Sequence, residues 1–172
     1  PMHYAIKINN QQMIAKLMET QSLNYNIYNY ENNIPIHLML LNTIFFRLPV
    51  FIDQSNLNFQ NFEGDTPFHY LCKLQLWKTT DIIDVLRKKK LKALLLNKKG
   101  ETPLDYIKHQ DIDLFMSVLV DAYLNELEKY KDAWDNEWER VCATDSSKQV
   151  ICKQMIMERL KDVIGEKQGA TY

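Results

Sequence analysis

Apolar residues along this chain gather in short stripes with helical spacing. Met13-Ile14-Ala15-Lys16-Leu17-Met18, Val50-Phe51-Ile52, Ile82-Ile83-Asp84-Val85-Leu86 and the set Leu114, Phe115, Val118 and Leu119 each predict one turn or more of amphipathic helix. A second kind of segment precedes each of them: Pro1-Met2-His3-Tyr4-Ala5, Pro35-Ile36-His37-Leu38-Met39, Pro67-Phe68-His69-Tyr70-Leu71 and Pro103-Leu104-Asp105-Tyr106-Ile107. All four read proline, apolar, histidine (aspartate once), apolar, apolar. Their prolines are 34, 32 and 36 residues apart, and of the five prolines only Pro49 is out of phase. A period in this range signals stacked helical units.

The residues ahead of these prolines have the chemistry of a turn that feeds a helix. Gly64-Asp65-Thr66-Pro67 and Gly100-Glu101-Thr102-Pro103 repeat one four-residue approach. Glycine supplies a positive φ, threonine caps an orphan backbone N–H, and proline opens the helix where its missing N–H costs nothing. Asn32 holds the glycine place in the second unit, as the next-best left-handed residue. Ile34 holds the threonine place there, so that helix is expected to be capped less well. With the spacing, these residues resemble the ankyrin repeat, Gly-x-Thr-Pro-Leu-His-x-Ala at about 33 residues. Tyr25-Asn26 and Leu57-Asn58 match the family's Val-Asn pair, and Asn29, Asn61 and Asn97 stand where it places aspartate in the finger.

The resemblance covers about residues 1–120 and weakens in the fourth unit, where Asp105 replaces histidine. It implies an all-α solenoid of about four helix-turn-helix units with β-turn fingers. In the third unit, extra residues around Leu76-Trp77-Lys78 predict a longer link between its helices. Residue 1 already stands at the proline of a unit, so the chain is expected to be a piece of a longer polypeptide with its first repeat truncated. From 113 to 172 the period gives way to a predicted long helix and helical hairpin. Val120, Leu124, Leu127, Trp134, Trp138 and Val141 form one stripe, and Cys152, Ile156, Leu160 and Val163 the other. The hairpin is expected to cap the open end of the stack.

Composition narrows the chemistry. Among 172 residues there are four glycines, three cysteines and a net charge of −1. Few glycines argue against phosphate-binding loops, and the near-neutral balance argues against a nucleic-acid partner. No apolar run is long enough to span a bilayer. Cys72, Cys142 and Cys152 make neither a disulfide framework nor a zinc spacing, which favours a reducing, intracellular compartment. His3, His37 and His69 take the histidine position of the repeat, and the resemblance implies that they bond neighbouring turns. No catalytic triad, metal motif or cofactor motif stands out, so this segment is not read as an enzyme, and no cofactor is expected.

Function is therefore sought on the surface. The resemblance implies protein–protein recognition through a concave flank of finger tips and first helices. By position the fingers contribute Tyr30, Glu31, Asn33, Phe62, Glu63, Asp65, Lys98, Lys99 and Glu101. The exposed ends of the first helices contribute Lys7, Ile8, Asn42, Lys73, Leu74, His109 and Gln110. Exposed aromatics at a turn are unfavourable unless a partner covers them, which singles out Tyr30 and Phe62. Two other readings remain open. The segment is then a substrate-recruiting region of an enzyme whose catalytic domain precedes it. Or the seven cations from Arg87 to Lys99, with no acid among them, form a ridge for anionic lipid or nucleic acid. The Asn- and Lys-rich composition resembles ankyrin chains of intracellular bacterial pathogens such as Legionella, and of poxviruses. That likeness implies an effector secreted into the cytosol or nucleus of a host cell.

Overall fold

Proline fixes φ near the helical value, and in this chain it starts helices at a regular interval. The computed structural model describes residues 1–93, 95–111, 113–115 and 117–119. Six α-helices fall in its first compact unit, Pro1–Tyr106. They are α1 (Met2–Lys7), α2 (Gln11–Met18), α3 (Pro35–Leu41), α4 (Leu48–Gln54), α5 (Pro67–Lys73) and α6 (Thr80–Leu86). Short 3-10 helices span Leu76–Lys78 and Pro103–Tyr106. No strand occurs among the described residues. Pro35 and Pro67 are the first residues of α3 and α5, Pro1 immediately precedes α1, and Pro103 opens the 3-10 turn.

The starts of these helices follow their sequences. Thr66 Oγ1 accepts the His69 N–H at 3.2 Å, and His69 Nδ1 accepts the Thr66 N–H at 3.0 Å, a reciprocal cap on α5. Ile34 cannot return that bond. Only the Ile34 N–H to His37 Nδ1 contact, at 3.2 Å, remains on α3. In the fourth unit, Asp105 Oδ2 accepts from both the Thr102 N–H (2.6 Å) and the Thr102 hydroxyl (2.8 Å). The threonine that was expected to cap an α-helix there donates its hydroxyl instead, and the segment is a single 3-10 turn.

The ends of α1 and α3 share a device that the sequence reading did not identify. In the first three units the residue eight after the proline is left-handed without being glycine: Asn9 at φ 50°, Thr43 at φ 53° and Gln75 at φ 57°. For α1 the Asn9 N–H reaches the Ile6 carbonyl and the Asn10 N–H reaches Ala5. For α3 the Thr43 N–H reaches Leu40 and the Ile44 N–H reaches Met39. These are Schellman closures. They reverse the chain into α2 and α4, and Asn10 then caps α2 by accepting the Met13 N–H at 2.9 Å.

Side-by-side packing builds the core. α1 packs on α3, α3 on α5, and α5 on the Pro103–Tyr106 turn, while α4 packs on α6. Ala5, Ile6, Ile36, Met39, Phe68 and Leu71 fill the first-helix layer; Ile14, Phe51, Ile52 and Leu86 fill the second. A large apolar side chain contributes about 1.5–3 kcal/mol on full burial. The long link of the third unit is also present, with Trp77 completely buried in the 3-10 turn. Ile107–Tyr172 forms a second unit, whose described part is helical at 113–115 and 117–119 with Phe115, Val118 and Leu119 buried. The boundary after Tyr106 falls inside the expected fourth repeat. The predicted hairpin, with Trp134, Trp138, Cys142 and Cys152, lies outside the described residues.

Candidate functional site: a row of fingers beside the first helices

Each finger is a turn closed by one asparagine. Asn29 Oδ1 accepts from the N–H groups of Glu31 and Asn33. Asn61 does the same for Glu63 and Asp65, and Asn97 for Lys99 and Glu101, all at 2.9–3.0 Å. Neighbouring fingers are bonded through their backbones: the Phe62 N–H donates to Glu31 O at 3.1 Å, and the Lys98 N–H to Glu63 O at 2.9 Å. Gly64 makes that approach possible. A Cβ there would lie 2.9 Å from the Asn97 Cα, whereas one on Gly100 would meet nothing.

Histidines tie each first helix to the next finger. His3 Nε2 reaches Asn33 O (2.9 Å), His37 Nε2 reaches Asp65 O (3.1 Å), and His69 Nε2 reaches Glu101 O (3.2 Å). In His37 and His69 the Nδ1 accepts a backbone N–H, so the tautomer that satisfies both sides is neutral with the proton on Nε2. Burial pushes the pKa of His37 down to about 4, and lowers that of His69 in the same direction. These imidazoles are structural. Asp105 has no donor for such a reach, and the series stops there.

The candidate residues separate on this frame. Tyr30 is 82% exposed and Phe62 59%, at equivalent places on adjacent bonded fingers, and Lys98 continues the row. Glu31, Glu63, Lys98 and Lys99 are exposed. So are Lys7, Ile8, Asn42, Lys73, Leu74 and Gln110. Asn33 does not belong with them. It is 3% exposed, donates to Glu31 and accepts from Asn61 Nδ2 at 2.9 Å, so it fastens two fingers. Asp65 and Glu101 are half-buried and serve as acceptors. Asp65 takes Asn97 Nδ2 (2.8 Å) and the Tyr70 hydroxyl (3.3 Å), and Glu101 takes the Tyr106 hydroxyl (2.6 Å). That bond and the one from Asn97 hold the Glu101 carboxyl below its usual range. Next to Asp65, burial raises the Tyr70 phenol to about 12. The side chain of His109 lies outside the described set.

Tyr4 and Leu41 were missed by sequence reasoning. Both are exposed on first helices; Tyr4 shares its offset from the proline with Leu38, Tyr70 and Tyr106, a register that could have found it. The expected basic ridge is divided. Lys98 and Lys99 sit on a finger, Arg87 Nη1 lies 3.7 Å from Asp84, and Lys89 bonds the Asp53 carbonyl with its carboxylate 3.9 Å away. Burial pushes the Cys72 thiol up, which removes it as a nucleophile. Among the described residues no group of three or more His, Cys, Asp or Glu could hold a metal ion. No described helix is long and apolar enough to cross a membrane.

No protein-family profile matches the chain. It is similar to a putative ankyrin repeat protein of Acanthamoeba polyphaga mimivirus, 28% identical over 148 residues and covering 83% of this chain. The same alignment covers 19% of the relative, so this chain spans about a fifth of that protein's length.

Proposed function

We propose that this chain is a protein-recognition module of the ankyrin type, and that it grips its partner with the flank formed by the finger row and the first helices. One observation carries the reading. Tyr30 and Phe62 stand in register on two backbone-bonded fingers, with most of their surfaces in water. Rings held on rigid turns lose little entropy on binding, and such anchors dominate interface energies. Glu31, Glu63, Lys98 and Lys99 surround them with charge of both signs, which suits a polar rim around an aromatic centre.

The similarity to a protein named for its ankyrin repeats supports the same class of function. The narrower reading of a secreted bacterial effector rests on composition; the relative is viral and lends it no support. The test is capture of partners from cell lysate by the intact chain and by a Tyr30→Ala/Phe62→Ala variant. Loss of two anchor rings should weaken capture by roughly thirtyfold or more, on the order of 2 kcal/mol. Since both rings are exposed, the melting temperature should be unchanged. Unaltered capture of every partner would overturn the proposal.

A further inference from the structure

The opposite end of the first helices carries a different chemistry from the fingers. The turns that join first to second helices, residues 7–10, 41–47 and 73–79, contain four cations and no acid; Asp81 follows only on the first turn of α6. Among these residues Lys7, Arg47 and Lys73 are exposed. Between them Ile8, Leu41, Phe45 and Leu74 are each 36–47% exposed. The Schellman closures and left-handed residues hold these side chains on fixed turns. Because α1, α3 and α5 pack side by side, each unit offers at least one exposed apolar group on this edge: Ile8 and Leu74 seven residues after their prolines, Leu41 six after its own, with Phe45 beside it in the second unit.

We infer that this turn edge docks an acidic amphipathic helix of a partner protein. Packed helices lie about 8–10 Å apart, so the units repeat at nearly the interval of two helical turns, seven residues at about 1.5 Å each. A helix laid along the edge sets an apolar residue against each unit at every seventh position, and acids on its flanks meet Lys7, Arg47 and Lys73. The polar, exposed residues Asn9, Asn42 and Thr43 lie among the apolar groups. That interruption suits a helix, whose apolar contacts come at intervals, and not the continuous apolar face used at a lipid interface. The inference rests on the protein-recognition reading and adds a second, charge-selective edge to it.

The probe is a synthetic amphipathic peptide of about 20 residues, long enough for three units, with leucine on its apolar face and glutamate on both flanks. Its twin carries lysine in place of every glutamate. Binding to the intact chain is followed by fluorescence anisotropy. The glutamate peptide is expected to bind at least roughly tenfold tighter than the lysine twin, with an affinity that falls as salt rises. A Lys7→Glu/Lys73→Glu variant removes that preference, and Leu41→Gln weakens binding several-fold, with folding of each checked by circular dichroism. Equal affinity for the two peptides, or no binding of either, overturns the inference. So does charge-dependent sedimentation with phosphatidylserine vesicles in place of peptide binding, which assigns the edge to a membrane. The Tyr30→Ala/Phe62→Ala variant keeps its peptide affinity, so the finger reading and the turn-edge reading fail separately.

Discussion

Thr43 holds a β-branched side chain at φ 53°, a left-handed conformation that costs non-glycine residues about 1–2 kcal/mol. Its hydroxyl recovers only a local bond to the Asn42 carbonyl, at 2.7 Å. Thr43→Gly should therefore stabilise the fold by about 1 kcal/mol, after subtracting the greater freedom of glycine in the unfolded chain. A higher urea midpoint with an unchanged slope is the expected result; a lower midpoint refutes it. The position also shows what kind of residue information a sequence hides. Gly64 and Gly100 announce positive φ by their identity, whereas Asn9, Thr43 and Gln75 do so only by their shared distance from a proline. Asn33 misleads in the opposite direction. A polar residue beside a turn reads as exposed, and only the cross-finger bond to Asn61 reveals that it is enclosed.

At the scale of elements, punctuation was the legible part. Proline, threonine and histidine act within one turn of the backbone, so the starts of α3 and α5 could be read directly. The 3-10 turn at Pro103–Tyr106 could not, because a carboxylate at the histidine position changes which group donates. The fingers allow a sharper comparison. Gly64 and Gly100 have nearly equal φ, 78° and 76°, yet only Gly64 faces a neighbouring finger at 2.9 Å. Gly100→Ala should cost about 1 kcal/mol for its backbone alone. Gly64→Ala adds separation of two fingers and should cost at least about twice as much. Thermal melts of the two variants decide the order, and equal losses would contradict the finger contact.

Across the whole molecule, the neutral imidazoles make stability depend on pH. His37 titrates near 4 in the folded chain, against an ordinary value of 6.5. The unfolded chain takes up the proton first, so this stabilisation is complete above pH 6.5 and is lost as the pH falls toward 4. Between pH 7.5 and 5 the loss should be about 2 kcal/mol from His37, and His69 adds to it in the same direction. Urea unfolding at the two pH values measures it. A His37→Gln variant should be less stable at neutral pH but flatter across the interval, and an equally steep dependence would show that another group is responsible.

Gln75 shares the unfavourable backbone of Thr43 but puts its side chain to different use. Its amide donates to the Cys72 carbonyl at 2.8 Å and to Tyr106 O at 2.9 Å, bridging the third unit to the fourth. An engineer who standardised every such turn to glycine would thus relax one seam of the stack and unstitch another.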